Sequence, residues 1–474
     1  MRVFNTITRR KEQFKTVVHN QVRMYVCGPT VYDLFHIGNA RTFVFFDVVR
    51  RYLEYRGYEV FYVQNFTDID DKIINKASSE QADISKVSEK YINEYYKDAD
   101  CLTIKRGSLN PKATENIKEM IELIEELIIK NFAYEADGCV YFSVKSFKDY
   151  GKLFGQNLDT LKSGVRIEVN QDKKDPLDFI MWKKSKESEP GYDSPWGKGR
   201  PGWHTECCSM IKKYFNNSTI DIHGGGVDLI FPHHENEIAQ AEVLSGNPLA
   251  NYWMHCSFLN IDKRKMSKSL GNFFTTREIL ERYSSNCLRF FLISSHYRSE
   301  LCFSEDQLVW AEKSLERIYN AYNLLIQSSN EILCDEICKR DEILNFKNKF
   351  INKMDDDFNT SDAISVIFDF IKFINVFINN FSKDDLILCK NILEELLGIL
   401  GIFFEENREE KLLSDELRNK ILRRYEFKKN KDFVSADLIR DELLKEGIAL
   451  EDIKNGVNVK NLNNNNMLVC TLLY

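Results

Sequence analysis

At 474 residues, with 43% apolar and 29% charged side chains, the chain is too long for one hydrophobic core and has the balance of a globular protein of about three domains. It has no apolar run of ~18 residues and its opening Met-Arg-Val-Phe-Asn-Thr lacks a signal-peptide core, so neither a membrane partner nor export is expected. A net charge of −7 excludes capture of a polyanion by overall attraction, and twelve cysteines without a secreted framework point to a reducing cytoplasm where thiols are free or hold metal. Any polyanion must meet local basic runs instead, at Arg9-Arg10-Lys11, Lys183-Lys184, Lys212-Lys213, or Lys428-Lys429 with Lys431, each of which reads first as a solvated surface run.

In chain order, Val22, Met24 and Val26 fit one face of a short strand that Gly28-Pro29 stops, and a helical pattern begins after Asp33. Gly38 and Ala40 are small enough to let a ligand or another backbone approach. A strand, a turn and a helix N-terminus make an anion site, because the first helical turn leaves amide N–H groups open. Thr42–Leu53 has helical spacing, Glu59–Asn65 is β-rich, and Thr67–Lys72 leads into another helix. This strand–helix–strand unit predicts a parallel sheet with a right-handed crossover. Helical periodicity dominates from about 80 to 131, and Cys139–Val144 is a short β-rich piece. Six of the eight prolines fall between Pro176 and Pro248, whereas Asn272–Leu397 contains neither Gly nor Pro and predicts long helices. Ile318, Tyr319, Tyr322 and Leu325, then Ile364, Ile367, Phe368 and Ile371, give stripes for a helix bundle. A further helical pair spans roughly Ser414–Glu446 with Gly447 at its C′ position, and the tail around Asn463–Asn466 is expected to fray.

Several residues bear chemistry. Cys27 stands where the first strand ends and His36 beside the helix start; taken alone, they read first as a buried core thiol and a hydrogen-bonded surface histidine. In Pro232-His-His-Glu-Asn-Glu237, His233 and Glu237 share a helix face at a spacing that suits two ligands of one metal, or a simple hydrogen-bonded pair. Gly202-Trp-His-Thr-Glu-Cys-Cys208 supplies further thiols. Gly224–Gly226 would let backbone lie against a planar ligand or phosphate, with Asp228 accepting from ribose hydroxyls, although a tight turn explains the glycines too. Lys265-Met-Ser-Lys-Ser-Leu-Gly-Asn272 places two lysines on a polar loop, suited to charge developing on transferring phosphates.

Lys265-Met-Ser-Lys-Ser269 downstream of His36-Ile-Gly-Asn39 resembles the paired signature of the class I aminoacyl-tRNA synthetases. Tyr25–Asp33, Asn65–Lys72, Asp178–Lys183, Gly202-Trp-His204, His223–Gly226, Phe231–Gln240 and Met354–Thr360 narrow the resemblance to the cysteinyl-tRNA synthetases, from the N-terminus to about residue 452. The resemblance implies an α/β fold: a Rossmann-type parallel-sheet catalytic domain with an inserted connecting segment, then an α-helical bundle and a small C-terminal domain. It divides the catalytic domain into halves at 1–115 and 201–260 around an insertion at 116–200. The lysine loop and stem-contact region then fall at 261–305, a tRNA-binding bundle at 306–410, and an anticodon-side domain with its low-complexity tail at 411–474.

The resemblance also implies activation of L-cysteine by ATP, giving cysteinyl-adenylate and pyrophosphate, then transfer to the terminal adenosine of tRNA(Cys) by a monomer. His36, Gly38, Asn39, Gly224, Gly225, Asp228 and Lys268 would hold ATP with Mg²⁺, and Lys265 and Lys268 would stabilise the leaving pyrophosphate. Thr67, Trp203 and His204 would face the amino acid. Cys27, Cys207, His233 and Glu237 would bind one Zn²⁺, with Cys208 the second-ranked alternative to Cys207. Cysteine and serine are nearly isosteric and packing separates such pairs by only about 1–3 kcal/mol, so a metal that favours thiolate at about 2.3 Å would supply selectivity without an editing domain. Glu237, the hard ligand, is expected to yield to the substrate sulfur.

Two departures stand out. Asn39 replaces the usual second histidine of the signature, which should weaken phosphate contact, and the tail beyond Asp452 lacks the family's basic, tryptophan-containing ending. Two rivals use the same motifs: a cysteine ligase acting on a small amine, and a tRNA-binding paralogue without chemistry. The retained helical half with its basic residues near 423–431 counts against the first, and intact Lys265–Ser269 with all four ligands against the second.

Overall fold

The computed structural model describes residues 1–156, 172–186, 189–261, 264–265, 274–328, 339–404, 415–453, 456–461 and 467–473. These form two compact units, Met1–Ile402 and Phe403–Tyr474.

The first unit opens with a hairpin of β1 (Arg2–Asn5) and β2 (Arg10–Gln13), followed by β3 (Gln21–Val26), α1 (Ile37–Tyr55) and β4 (Glu59–Gln64). Next come α2 (Asp71–Glu80), α3 (Ile84–Cys101) and α4 (Ile117–Ile129), then β5 (Ala133–Ala136), β6 (Cys139–Phe142), β7 (Phe179–Lys184) and β8 (Gly199–Pro201). These four strands pair antiparallel in that order, so the inserted stretch has a sheet of its own. The chain returns through α5 (Trp203–Tyr214), β9 (Ile220–Gly226), α6 (Glu235–Ser245) and β10 (Ala250–Cys256).

β10, β9, β3 and β4 make one parallel sheet in that spatial order. Strand order reverses between β3 and β9, and the crevice beyond the carboxyl ends of such strands is where α/β sheets bind ligands. Met24, Tyr25 and Val26 are all buried, because helices cover both faces of a central parallel strand; the reading of one buried face misses this. α1 starts three residues later than the first helical signal, at His36, whose ring caps it.

Beyond the sheet, β11 (Leu259–Ile261) pairs with β12 (Arg264–Lys265) and with β13 (Leu301–Phe303), which follows α7 (Thr276–Leu280) and α8 (Ser285–Ile293). β13 breaks the run of helices expected over 272–397: Leu301 and Phe303 bury around exposed Cys302, a two-residue alternation too short to register against helical flanks. The predicted bundle follows as α9 (Glu305–Ser328), α10 (Arg340–Asp355), α11 (Thr360–Phe377) and α12 (Lys383–Ile399). In the second unit, α13 (Asp415–Lys429) and α14 (Phe433–Lys445) pack with β14 (Ile448–Ile453), β15 (Gly456–Asn461) and β16 (Met467–Leu473) around Ile421, Leu443, Val457 and Val459. Gly447 ends α14 at φ 83°, as its C′ placement predicts. Asn463–Asn466 lies outside the described residues, but the expected frayed end is corrected beyond it: β16 pairs antiparallel with β15, and its Leu-Val-Cys-Thr-Leu-Leu has the β-branched, apolar character of a strand.

Candidate active site and metal centre

A cleft of about 320 Å³ opens at the carboxyl ends of β3 and β9, lined by Cys27, His36, Gly38, Asn39, Trp203, Gly226 and Asp228 among others. On one wall stands the start of α1. His36 is its N-cap and accepts the Asn39 N–H on Nδ1 at 3.2 Å, which puts the proton of the neutral ring on Nε2. The first turn of α1 contains no acidic residue of its own to offset the positive end of the helix.

Gly224 and Gly225 lie in β9 rather than on the cleft surface. A Cβ on Gly224 would meet the Phe46 ring at 2.3 Å, and one on Gly225 would meet Leu229 at 2.8 Å and His234 at 3.0 Å. Their smallness serves close packing, and Gly226 is the glycine that reaches the cleft, beside Asp228. Lys265 belongs to β12, while its side chain and all of Lys268 lie outside the described residues. The ends of that segment are nonetheless fixed at the cleft: Leu259 of β11 lines it, and the Ile37 N–H donates to Phe274 O while the Thr276 N–H donates to Phe35 O, at 3.2 and 3.1 Å.

At the floor, four side chains far apart in sequence converge. Cys27 leaves the end of β3, Cys207 projects from α5, His233 comes from the wide turn that enters α6, and Glu237 from the first turn of α6. Their donor atoms lie within 4.8 Å of one another and all four are buried. Cys27 Sγ stands 3.8 Å from Cys207 Sγ, 3.5 Å from His233 Nε2 and 3.7 Å from Glu237 Oε1. A tetrahedral ion with metal–sulfur bonds of about 2.3 Å spaces two sulfurs about 3.8 Å apart, so the pair fits a shared metal, whereas a disulfide needs about 2.0 Å. His233 Nε2 and Glu237 Oε1 are 2.8 Å apart, which preserves the predicted i,i+4 pairing. Cys208, one position on, turns into the apolar core and stays outside the cluster, where burial pushes its thiol up.

The charges within the cluster are unequal. The Cys27 thiol beside it holds Cys207 down to about 6. Burial, with Cys207 and Glu237 adding to it, pushes Cys27 well up. Burial disfavours charge on His233, but Glu237 and Cys207 outweigh it and lift the ring to about 10. Burial likewise opposes charge on Glu237, yet His223 and His233 hold its carboxyl well below the carboxylate range.

Three further histidines, which the sequence does not single out as ligands, surround the cluster. His223 Nε2 lies 2.6 Å from Glu237 Oε2, and His234 Nε2 lies 3.3 Å from Cys27 Sγ while its Nδ1 meets His255 Nε2 at 2.8 Å. Cys27, His223, His234 and Glu237 form an overlapping donor set that shares two members with the first, so one ion at most is served. His204 Nδ1 meets His233 Nδ1 at 2.9 Å, fixing the far side of that ring. Trp203, 41% exposed, stacks on His233 with ring centroids 4.3 Å apart and presents an apolar face to the cleft. Thr67 is buried one step back, donating to Glu206 Oε2 at 2.9 Å. No described helix is long and apolar enough to cross a membrane.

Comparison with known proteins places these features. Residues 13–313 match the family described as tRNA synthetases class I (C) catalytic domain, and residues 349–405 match the DALR domain. The fold resembles Mycobacterium tuberculosis methionyl-tRNA synthetase in complex with methionyl-adenylate, with a TM-score of 0.60 at 13% identity over 80% of this chain and 89% of that one. It also resembles the LeuRS of Agrobacterium radiobacter K84 in its ternary complex with tRNA and LeuAMS, with a TM-score of 0.61 at 11% identity over 83% of this chain and 86% of that one. With the first family matched over more than half its length, and with an open helix N-terminus and a glycine-ended strand facing one cleft, the chain belongs to the class I aminoacyl-tRNA synthetases.

Proposed function

We propose that this chain is a cysteine–tRNA ligase, which joins L-cysteine to tRNA(Cys) through cysteinyl-adenylate. The observation that carries the reading is the convergence of Cys27, Cys207, His233 and Glu237 on the floor of the cleft, a soft donor set where the side chain of a small amino acid would point. Bound by these four residues, Zn²⁺ supplies a preference for thiolate over a protonated hydroxyl. Glu237, the hard ligand, remains the one expected to yield to the substrate sulfur, and His223, on its other oxygen, is placed to hold the displaced carboxylate.

The chemistry itself needs no protein nucleophile. The cysteine carboxylate attacks the α-phosphorus of ATP, the α–β bridging bond breaks, and pyrophosphate leaves with its electron pair. The terminal ribose hydroxyl of the tRNA then attacks the mixed-anhydride carbonyl and AMP departs. Positioning and charge stabilisation supply the rate. In this assignment the Nε2–H of His36 and the N-terminus of α1, with Gly38 and Asn39, hold the phosphates with Mg²⁺. Asp228 accepts from the ribose, and Lys268 with Lys265 neutralises the leaving pyrophosphate. Trp203 packs on the substrate, while Thr67 and His204 orient the groups that touch it.

The test is ATP–pyrophosphate exchange with cysteine, serine, methionine and leucine in turn. Cysteine alone should support exchange, and it should exceed serine by more than the ~200-fold that packing can give. Cys27→Ala should abolish the advantage over serine. Exchange driven by methionine or leucine would overturn the assignment, and a Cys27→Ala variant that still rejects serine would remove the metal from it.

A further inference from the structure

Arg41 sits in the second turn of α1, 1% exposed, five residues after the capping His36. Its guanidinium reaches four backbone carbonyls on two separate turns. Nη1 donates to Ser257 O at 3.0 Å and to Phe258 O, where β10 passes into β11; Nη2 donates to Ser299 O and to His296 O at 3.4 Å, just before β13. The two turns are further joined by the Ser257 N–H donating to Tyr297 O and the Leu301 N–H to Phe258 O. Ser257, Phe258 and Leu259 line the same cleft as Gly38 and Asn39. Arg41 therefore ties that stretch, and the root of the β12–β11–β13 sheet, to the helix whose first turn lines the cleft with it.

We infer that Arg41 is a positioning residue for the nucleotide, setting the width of the cleft between the start of α1 and the Ser257–Leu259 wall through its four carbonyl contacts. The inference rests on the synthetase reading only for there being a nucleotide in the cleft, and not on which amino acid is activated. A planar fork with five donors is needed to serve two turns at once, and a lysine ammonium on a single point cannot reach both. The metal cluster lies on other elements, so a change at Arg41 should separate nucleotide binding from metal and amino-acid binding.

The experiment compares the full-length chain with Arg41→Lys and Arg41→Gln. Binding of MgATP is measured by titration calorimetry, zinc content by metal analysis, and the KM for cysteine and for ATP by pyrophosphate exchange. Arg41→Lys should weaken MgATP at least tenfold and raise the KM for ATP to match. Zinc per chain should stay unchanged, and the KM for cysteine should stay within twofold. A folded Arg41→Lys that binds MgATP within twofold of the unaltered chain overturns the inference, as does an equal rise in both KM values. If neither variant melts cooperatively, Arg41 serves folding and the positioning role is likewise refuted. Absence of cysteine-dependent exchange in the unaltered chain would count against the proposed substrate, while the MgATP titration would still decide the role of Arg41.

Discussion

An ion entering the cluster would meet protons on Cys27 and His233 that Cys207 has already lost. At neutral pH the Cys207 thiol, at about 6, is mostly thiolate, while Cys27 stands well above the usual thiol range and His233 stands at about 10. Metal ligands must be deprotonated, so uptake displaces the protons on Cys27 and His233, and affinity gains about a factor of ten per pH unit for each. The apparent zinc affinity of chelator-stripped protein should thus rise with pH between about 6 and 9, with a slope near two in log K. Competition against a chromogenic chelator across that range measures it, and a flat profile would mean that the four donors do not share an ion. The quartet was legible only through motif words, because long sequence separations hide the convergence of β3, α5 and α6. His223, His234 and His255 were harder still, although the words His-Gly-Gly-Gly and Pro-His-His carry two of them. What fixes them is their stacking around Trp253 and the carboxylate of Glu237, and no local pattern encodes that.

α1 is legible as a helix, yet its role as the spine of the first unit is not. Its apolar spacing announces a buried face, but Arg41, Asp47 and Arg51 would each pass for solvent-facing residues in a pattern read by hydropathy alone. Asp47 is buried instead, paired with Arg51 of its own helix at 2.7 Å and with Arg289 of α8, and it also accepts from the Lys105 N–H. Arg289 in turn donates to Leu102 O at 2.8 Å and to Leu400 O at 2.6 Å, at the ends of α3 and α12. Burial pushes the Asp47 carboxyl up, but Arg289 and Arg51 outweigh it and hold it below the ordinary carboxylate value. Its stabilising contribution is therefore present above about pH 4, the unfolded value, and is lost as the pH falls through the lower folded one. Asp47→Asn should destabilise the first unit by about 3–5 kcal/mol, because it leaves the buried guanidinium without its counter-charge. Urea unfolding at pH 7 measures this. Joint replacement, Asp47→Leu with Arg289→Met, should recover at least half of the loss, since burying neither charge is cheaper than burying one. A single variant as stable as the parent would show that the carbonyls alone satisfy Arg289.

At the scale of the molecule, the chain divides after Ile402 into two compact units. Contacts that lock the end of α12 to the catalytic helices are complete before that point: Thr103 donates to Gly401 O at 2.7 Å and Arg289 to Leu400 O, so ending the chain at 402 cuts none of them. The second unit has its own small core and its own ion pairs, with Arg424 donating to both Asp452 oxygens at 2.8 Å and Lys428 adding a third contact. Asp452, one carboxylate, offsets one of the two charges of Arg424 and Lys428, and Arg423, Lys429 and Lys431 are exposed on and just after α13 with Glu426 between the first two, a locally basic face in a chain of net charge −7. A polyanion meeting this face should be held through counterion release, with an affinity that falls steeply with salt. The chain ending at Ile402 should keep cysteine-dependent pyrophosphate exchange within about threefold and lose most charging of tRNA(Cys). In the full-length chain, Arg423→Ala with Lys429→Ala should raise the KM for tRNA at least several-fold and lessen its salt dependence, with exchange unchanged. If the shortened chain charges tRNA as well as the full one, the basic face of α13 plays no part in holding the nucleic acid.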